Sequence, residues 1–260
     1  MDLGLRGRKA LITGASKGIG FATAAVLADE GCALVLVSRT AADLAAAEAK
    51  IARSSSVKVT THALDVSKPA SIEQLAATHP DVDILVNNAG AIPPGRLDEI
   101  DDKRWRDAWE LKVFGYINLT RAFYAAMKKR GGGVIINILG VAGERLEPGY
   151  IAGSTGNAGL MAFTKALGSA SPADKIRVVG INPGPIDTER LQTIMRKRAQ
   201  DRLGDASRWL EMYTSLPFGR AGKPKEIADM VAFLASDLSA YTTGTVVTID
   251  AGASSKGNAI

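Results

Sequence analysis

The sequence predicts an α/β fold in which one parallel sheet is covered by helices on both of its faces, a doubly wound arrangement. Two observations support this prediction. Short runs of β-branched residues alternate with longer helical patterns along the whole 260-residue chain, which indicates repeated βαβ units. The short runs are also almost entirely apolar, as expected for parallel strands that are buried on both faces.

Seven strands and six main helical segments follow from these patterns. The predicted strands are KALIT (9–13), ALVLV (33–37), VKVTT (57–61), DILV (83–86), VIINI (134–138), IRVVGI (176–181) and TVVTI (245–249). The helical segments lie near residues 19–30, 41–53, 70–79, 102–129, 152–170 and 224–236. Because helix-length connections separate successive strands, the pattern predicts a single seven-stranded parallel sheet.

We expect one domain over residues 1–260. The length suits one large buried core, and no stretch of low complexity divides the chain. The segment from about 189 to 216 interrupts the alternation with an amphipathic insertion. Insertions after the strands of such a sheet often form lids over the ligand crevice, so we predict a lid-like element there. A solvated pair of surface helices is the alternative.

Composition and charge argue against several functional classes. The net charge is +5, and the basic residues are spread along the chain rather than clustered, which disfavours nucleic-acid binding. The single cysteine, Cys32, excludes an intrachain disulfide and a multi-cysteine metal site, and we predict no metal. No run reaches the ~18 continuous apolar residues of a membrane helix, so we expect a cytoplasmic protein that does not bind membranes.

A glycine-rich turn follows the first strand. The segment TGASKGIG (13–20) leads directly into a helical pattern, which is the context that a dinucleotide-binding turn requires. Gly14, Gly18 and Gly20 allow the backbone to approach a pyrophosphate, whose charge then lies at the N-terminus of the helix. The segment therefore predicts a dinucleotide site in a Rossmann-type fold.

The end of the second strand indicates which dinucleotide is bound. Sites for NAD usually place Asp or Glu there to accept the ribose hydroxyl groups. This strand instead ends in Ser38 and Arg39, and Lys17 adds a second cation within the glycine turn. These cations would bind a 2′-phosphate through charge-assisted hydrogen bonds, so NADP(H) is favoured over NAD(H). Two solvated surface cations are the alternative.

Four further motifs, in the expected order, resemble the short-chain dehydrogenase/reductase family over nearly the whole chain. LDV (64–66) matches the segment that holds the adenine, NNAG (87–90) the segment beside the adenosine, and NPGPIDT (182–188) the segment that contacts the nicotinamide. TGTVVTIDAG (243–252) resembles the last strand, with Ala251 in place of a glycine. The predicted cofactor site comprises Gly14, Ser16, Lys17, Gly18, Ile19, Gly20, Ser38, Arg39, Asp65, Val66, Asn87, Ala89, Gly90, Pro183, Gly184, Ile186 and Thr188.

The resemblance implies hydride transfer between the nicotinamide and a carbonyl or alcohol carbon. In this family a Tyr is the general acid/base, a Ser orients the substrate oxygen, a Lys lowers the Tyr pKa, and an Asn keeps a relay water. An ungapped alignment, anchored by VAG (141–143) and LMAFTKAL (160–167), places these four roles, in that order, at Gly153, Gly140, Asn157 and Lys112. All four positions differ from the family pattern, and glycine has no side chain with which to transfer a proton.

Three functions remain open after this alignment. The first is an oxidoreductase in which other residues have taken over the acid/base roles. The second is a cofactor-binding protein without turnover, such as a sensor or scaffold. The third is non-redox chemistry in the same crevice, such as elimination or epimerisation. Ile186 and Thr188, which the resemblance places beside the nicotinamide, favour the first function over the second.

Tyr150 and Lys112 are the candidates for a relocated catalytic pair. Tyr150 precedes Gly153 by three residues, which is about one helical turn, so it shares a face with the usual tyrosine position. The family's Asn position holds Lys112 here, and the family's Lys position holds Asn157, so the two residue types are exchanged. The ammonium would therefore enter the crevice from the neighbouring helix. Asn157 would then hold the relay water or the ribose, and Ser154 is a second candidate hydroxyl. The alternative has Tyr150 packed at the rim and Lys112 paired with a surface carboxylate.

The expected partner is a small-molecule substrate, and the insertion suggests that it is anionic. The insertion contains more basic than acidic residues, and their positive field would steer an anion towards the crevice. The basic residues concerned are Arg190, Arg196, Lys197, Arg198, Arg202 and Arg208. The family resemblance also implies a homo-oligomer, either a tetramer or a dimer.

Overall fold

The computed structural model, which describes residues 2–255, contains seven parallel strands in a single sheet. The strands are β1 (Lys9–Thr13), β2 (Ala33–Ser38), β3 (Val59–Ala63), β4 (Ile84–Asn87), β5 (Gly133–Ile138), β6 (Ile176–Pro183) and β7 (Val246–Ile249). Their order is β3-β2-β1-β4-β5-β6-β7. The predicted doubly wound fold is confirmed. The order of strands reverses between β1 and β4, and sheets of this kind bind ligands outside such a reversal.

Helices connect the strands and cover both faces of the sheet. They are α1 (Gly18–Asp29), α2 (Ala41–Ile51), α3 (Pro69–Thr78), α4 (Asp102–Trp109), α5 (Gly115–Arg130), α6 (Ile151–Ala170), α7 (Glu189–Leu203) and α8 (Pro224–Ala235). The continuous helix predicted over 102–129 is instead interrupted, because a π-helical turn over Glu110–Phe114 separates α4 from α5. Such turns change the direction in which side chains leave the helix and are frequent at functional sites.

The core has two apolar layers, one on each face of the sheet. Successive residues of β1 show the division, because Leu11 and Ile12 belong to different clusters. Ile12 packs in the same layer as Leu27 of α1 and Val231 of α8, whereas Leu11 packs in the same layer as Phe123 of α5. This alternation explains why the strands are apolar at nearly every position, as the sequence predicted.

Buried polar side chains join the centre of the sheet to two helices. Asn87 at the end of β4 donates to the Asn137 side chain of β5 at 2.9 Å and to the Thr120 hydroxyl of α5 at 3.0 Å. Asn137 in turn donates to the Thr164 hydroxyl of α6 at 2.9 Å. Because all four side chains are buried, these bonds fix α5 and α6 against the carboxyl ends of β4 and β5.

The insertion over 189–216 forms α7 and a 3-10 segment over Ala206–Ser215. Met195 and Tyr213 are buried between these two parts, and the Tyr213 hydroxyl donates to Asp187 at 3.0 Å. The first residues of α7 line the ligand crevice described below. Movement of this insertion as a lid stays a prediction. Among the described residues, no helix combines the length and the apolar composition that a bilayer crossing requires.

Two histidines meet at the edge of the sheet and make stability depend on pH. The Nε2 atoms of His62 on β3 and His79 after α3 lie 2.7 Å apart. Burial lowers the pKa of both imidazoles, and Lys9 and Lys58 lower that of His79 further, while Asp81 opposes them. The folded protein therefore binds protons less readily here than the unfolded chain, whose histidines titrate near 6.5.

We expect the free energy of unfolding to fall between about pH 7.5 and about pH 5.5, because the unfolded chain gains protons in this range that the folded pair resists. The stabilisation is complete above the unfolded histidine pKa and is lost as the pH falls below it. Urea titrations at the two pH values measure the effect. In the His62→Gln variant the loss is expected to be smaller, and an equal loss in both proteins would contradict the assignment.

Candidate active site

A crevice of about 880 Å³ opens at the carboxyl ends of β1, β2, β4, β5 and β6. The residues after each strand form its wall, as Gly14 does after β1, Asn88 after β4 and Gly140 after β5. The start of α7 closes one side with Glu189 and Arg190. The crevice lies at the reversal of strand order, where a doubly wound sheet is expected to hold a dinucleotide.

The glycine turn leaves a cradle at the N-terminus of α1. Gly14 and Gly18 have φ values of +64° and +56°, in the left-handed region that favours glycine. A Cβ atom on Gly14 would lie 2.9 Å from Asn88 Nδ2, and one on Gly20 would lie 2.2 Å from the Gly14 carbonyl oxygen. Gly20 is buried and does not line the crevice, so it acts by allowing the turn to close. The open turn and the helix N-terminus fit the pyrophosphate of a dinucleotide.

Cations surround the end of the crevice that the sequence assigns to the adenosine. Ser16 and Ser38 are joined by a hydrogen bond of 3.1 Å, and Arg39 is exposed at the rim. Lys17 also reaches the crevice, but its ammonium lies 3.4 Å from an Asp43 carboxylate oxygen. Lys50, in the last turn of α2, lines the crevice as a third cation that the sequence motifs did not identify. This end is therefore suited to a phosphate.

Besides Gly20, two predicted cofactor residues do not line the crevice. Asn87 is fully buried in the network between strands and does not line the crevice, whereas its neighbour Asn88 does. Asp65 accepts a hydrogen bond from the Ser67 backbone N–H at 3.0 Å and does not line the crevice either, whereas Val66 does.

Most of the predicted cofactor residues do line the crevice. The segment after β6 enters the wall beside the glycine turn, where Thr188 Cγ2 lies 3.2 Å from the point that a Cβ atom on Gly18 would occupy. The Thr188 hydroxyl accepts from the Leu191 N–H as the N-cap of α7. The predicted residues in the wall are Gly14, Ser16, Lys17, Gly18, Ile19, Ser38, Arg39, Val66, Ala89, Gly90, Pro183, Gly184, Ile186 and Thr188. Residues predicted from distant parts of the sequence thus share one cavity.

Tyr150 also lines the crevice, from the residue that precedes α6. Its ring fills the space beside Gly153, because a Cβ atom on Gly153 would lie 2.0 Å from Tyr150 Cε1 and 2.1 Å from Cζ. Tyr150 packs against the apolar cluster formed by Ile92, Ile100, Ala108 and Ala152. Burial raises the pKa of the Tyr150 hydroxyl, while the positive charge of Arg190 acts in the opposite direction. The phenol therefore stands where a side chain at position 153 would begin.

Lys112 reaches the same crevice from the π-helical turn. Its stem lies against Gly90, since a Cβ atom there would be 2.8 Å from Lys112 Cδ, and its ammonium donates to the Leu139 carbonyl oxygen at 2.8 Å. Burial lowers the pKa of Lys112 to about 7, with a further contribution from Arg190. An amine with this pKa can exchange a proton at neutral pH.

Asn157 of α6 lines the crevice beside Gly140, which follows β5. Its side chain is buried, and its Oδ1 atom has no hydrogen-bond partner among residues 2–255. Its Nδ2 atom lies 3.1 Å from the point where a Cβ atom on Gly140 would be, so the amide occupies space next to that glycine. A buried oxygen without a partner in a crevice wall is suited to a ligand hydroxyl or a water.

The structure gives Ser154 a different role from the predicted one. Its hydroxyl accepts from the Glu147 N–H at 3.0 Å and donates to the Glu147 carbonyl oxygen at 3.4 Å. Ser154 is buried and does not line the crevice, and both hydrogen bonds of its hydroxyl go to the Glu147 backbone. It holds the loop before α6 and is not a candidate for proton transfer.

Of the basic residues in the insertion, Arg190 alone lines the crevice within the part of the chain that the structure describes. Arg208 pairs with Glu211 on the surface at 2.6 Å, and the Arg196 guanidinium lies over the Trp209 ring at 5.2 Å. Steering of an anionic substrate by the field of the insertion stays a prediction, and Arg190 is the residue of that set which the structure places in the crevice wall. The cations at the inner end are Arg190 and Lys112, and neither forms a salt bridge within residues 2–255.

Comparison with known proteins gives matches over nearly the whole chain. A family model described as Enoyl-(Acyl carrier protein) reductase matches residues 14–254. The 3-oxoacyl-(acyl-carrier-protein) reductase FabG of Chlamydia trachomatis is 33% identical over 249 residues, which cover 94% of this chain and 96% of the relative. The 2-keto-3-deoxy-L-fuconate dehydrogenase of Xanthomonas campestris is 34% identical over 251 residues, covering 95% of this chain and 80% of the relative.

A solved structure shows the same architecture with its ligands bound. The L-sorbose reductase of Gluconobacter frateurii, complexed with NADPH and L-sorbose, superimposes with a TM-score of 0.92 at 32% sequence identity. The alignment covers 99% of this chain and 100% of that chain. The similarity thus extends over the cradle, the sheet and the inner end of the crevice.

Proposed function

This chain belongs to the short-chain dehydrogenase/reductase family of oxidoreductases, and from that premise we propose that it transfers hydride between NADP(H) and a carbonyl or alcohol substrate through an atypical proton-relay site. One observation carries the proposal. A single crevice joins the dinucleotide cradle to a phenol, Tyr150, and an amine, Lys112. The relatives are reductases and a dehydrogenase by name, and this supports the same reaction type here.

The proposed relay uses side chains that differ from the family pattern. When bound, the nicotinamide supplies or accepts the hydride. The Tyr150 hydroxyl gives a proton to the carbonyl oxygen in the direction of reduction, and takes it back in oxidation. The Lys112 amine takes up and releases protons at this end of the crevice, which its pKa of about 7 permits at neutral pH. Asn157 holds a water or a ribose hydroxyl through its unpartnered Oδ1.

The absence of a side chain at positions 140 and 153 supports this assignment. The Tyr150 ring needs the space beside Gly153, and the Asn157 amide lies beside Gly140. A tyrosine at 153 and the ring of Tyr150 could not both occupy the crevice as it is built. We therefore propose that the four substitutions belong together as one rearranged site rather than as four independent losses.

The proposal is tested by binding and turnover measured on the same protein. NADPH is added and its fluorescence enhancement is followed, and then the loss of NADPH absorbance is recorded with a panel of aldehydes and ketones. Turnover with at least one carbonyl compound is expected. Fluorescence enhancement without absorbance loss across the panel would instead support a cofactor-binding protein without turnover.

The panel also tests the proposed substrate class. We propose an anionic small-molecule substrate, because Arg190 and Lys112 stand at the inner end of the crevice without an acidic partner among residues 2–255. Each neutral ketone is paired with a carboxylate-bearing ketone of similar size. Equal kcat/KM within the pairs would remove the anionic requirement. The homo-oligomer expected from the family stays a prediction, which sedimentation velocity tests.

NADP(H) preference is the prediction tied to the outer end of the crevice. Replacing Arg39 by Asp is expected to weaken NADPH binding at least about tenfold more than NADH binding, because the carboxylate repels a 2′-phosphate and accepts ribose hydroxyls. Lys50 and Lys17 support the preference from either side of the same end. Dissociation constants for the two cofactors, obtained by fluorescence titration, measure it.

The matched control is Arg53→Asp, which makes the same charge change on an exposed residue that does not line the crevice. It is expected to leave the ratio of the two dissociation constants unchanged. If Arg39→Asp weakens the binding of both cofactors equally, Arg39 does not distinguish a 2′-phosphate from a 2′-hydroxyl group.

A further inference from the structure

Asp187 lies between two residues of the crevice wall but does not line the crevice itself. Its neighbours Ile186 and Thr188 are in the wall, whereas its carboxylate accepts hydrogen bonds from the insertion. We infer that Asp187 and Tyr213 are positioning residues of this site, because their hydrogen bond holds the insertion against the segment after β6 and thereby places Arg190 at the inner end of the crevice. The inference rests on the proposed function, since it takes Arg190 as a residue that meets the substrate.

The Asp187 carboxylate joins three parts of the chain. Its Oδ1 atom accepts from the Tyr213 hydroxyl at 3.0 Å and from Gln192 Nε2 at 3.0 Å. Gln192 lies in α7, Tyr213 in the 3-10 segment, and Asp187 itself in the segment after β6. Within residues 2–255 no cation forms a salt bridge with this carboxylate, and its charge strengthens the two hydrogen bonds. One oxygen atom therefore binds both halves of the insertion to the segment that forms the wall.

The backbone of Asp187 is also held in place. Its N–H donates to the Gly222 carbonyl oxygen at 2.7 Å, and the Gly222 N–H donates to the Pro185 carbonyl oxygen at 2.9 Å. Gly222 has no room for a side chain, because a Cβ atom there would lie 2.7 Å from Ile186 Cδ1. The chain before the insertion and the chain after it are thus paired, which gives Asp187 a fixed place from which to hold the insertion.

Tyr213 lies at the centre of the insertion. It is buried in one apolar cluster with Met195 of α7 and Ala221, and the Trp209 ring meets it edge-on with 5.5 Å between the ring centroids. Burial, together with the hydrogen bond to Asp187, raises the pKa of Tyr213 to about 12, so the phenol keeps its proton and donates throughout the neutral range. The two halves of the insertion are therefore one packed unit, and this hydroxyl ties that unit to Asp187.

The position of Arg190 follows from this anchor. Arg190 is in the first turn of α7, and its Nη2 atom donates to the Ile92 carbonyl oxygen in the loop after β4 at 2.5 Å. That loop also contributes Gly90 and Ala91 to the crevice wall, so the bond joins the insertion to a second wall. Arg190 is three residues from Asp187, and a shift at the start of α7 therefore moves its guanidinium. A misplacement of about 1 Å in a site that positions a substrate can cost about 10²-fold in rate.

A second tyrosine–aspartate pair supplies the matched control. Tyr124 of α5 donates to the Asp174 carboxylate at 2.7 Å, and burial with that bond raises its pKa to about 12, as for Tyr213. Neither Tyr124 nor Asp174 lines the crevice, and neither belongs to the insertion. Tyr124→Phe therefore removes the same kind of hydrogen bond to a carboxylate and leaves the anchor of the insertion intact.

The first measurement is hydrogen–deuterium exchange in the protein without cofactor or substrate. Tyr213→Phe removes the hydroxyl and keeps the ring. Exchange of the backbone amides in α7 and in the segment over Ala206–Ser215 is expected to become at least about fivefold faster, because the insertion opens more often without its bond to an ionised group. In Tyr124→Phe, exchange in the insertion should be unchanged. Asp187→Asn, which retains one acceptor oxygen, should accelerate exchange less than Asp187→Ala does. Equal exchange in Tyr213→Phe and the wild type would overturn the inference.

Kinetics with the best substrate of the carbonyl panel provide the second measurement. In Tyr213→Phe, KM is expected to rise at least about fivefold while kcat stays within about twofold of the wild type, because Arg190 is displaced and the acid/base groups are not. In Tyr124→Phe both constants should be unchanged. When Arg190 is already replaced by Gln, adding Tyr213→Phe should raise KM no further, since the two residues act through one contact with the substrate.

A rise in KM that is equally large with and without Arg190 would overturn the inference, because the hydroxyl would then act on the fold in general. The two proposals fail separately. A wild type that never turns over a substrate overturns the proposed function, whereas the exchange of the insertion is measured without turnover and decides whether Asp187 and Tyr213 hold it.

Discussion

Tyr150→Phe is expected to lower kcat by about 10²- to 10⁴-fold, which is the usual contribution of a positioned general acid or base. The change removes one hydroxyl and leaves the ring that fills the space beside Gly153. The packing against the apolar cluster that contains Ile92 and Ile100 is kept, so the fold and the cofactor cradle are expected to remain intact. NADPH affinity and thermal stability should therefore stay near those of the wild type while turnover is lost.

The measurement compares steady-state kcat with the NADPH dissociation constant for the best substrate of the carbonyl panel. Tyr241→Phe is the control, because that side chain is fully exposed and lies outside the crevice. It loses the same atom and is expected to keep wild-type kcat. A Tyr150→Phe protein with wild-type kcat would exclude Tyr150 from the relay, and Lys112 would then be the candidate acid.

The fold could be predicted because its signals are local and repeated. Each strand is a short apolar run, and burial of Leu11 and Ile12 on opposite faces of the sheet explains why neither face is polar. The interruption of the helix over Glu110–Phe114 could not be predicted in this way. A π-helical turn changes the register by a fraction of a turn, and the surrounding apolar pattern continues through it.

The dinucleotide cradle could also be predicted from the sequence, since the turn requires glycines at fixed spacing. Gly14 and Gly18 adopt left-handed backbone angles, and Gly20 has no room for a Cβ atom. Lys50 was missed because its place at the adenosine end depends on the position of α2 against the sheet. No short motif encodes the packing of that helix.

The inner end of the crevice was predicted in part. The one-turn spacing between Tyr150 and Gly153 suggested a shared face, and the ring does lie beside that glycine. Ser154 shares this face by its spacing, but its hydroxyl bonds to the Glu147 backbone, a contact with the loop before α6 that helical spacing does not reveal. The hydrogen bond from Arg190 to the Ile92 carbonyl oxygen could not be foreseen, because it depends on how the insertion is placed over the loop after β4.

Gly153→Ala is expected to lower kcat nearly as much as the loss of the Tyr150 hydroxyl. A methyl group at this position would lie 2.0 Å from Tyr150 Cε1, so the ring must leave its place in the crevice. The atoms in conflict belong to a side chain that can rotate and not to the backbone, so we expect the helix to form normally. Alanine is also the better helix former by about 0.5–1 kcal/mol, which offsets part of the lost packing.

The matched control is in the same helix. Gly159 of α6 is exposed, and a Cβ atom there would meet no neighbouring atom within 4 Å. Gly159→Ala should therefore raise the free energy of unfolding by about 0.5–1 kcal/mol and leave kcat unchanged. Thermal unfolding and steady-state kinetics on both variants separate the two effects.

If Gly153→Ala behaves like Gly159→Ala, the ring is not held beside position 153 during turnover, and the absence of a side chain there has no catalytic meaning. If kcat falls while NADPH still binds, the glycine is required because it makes room for the phenol.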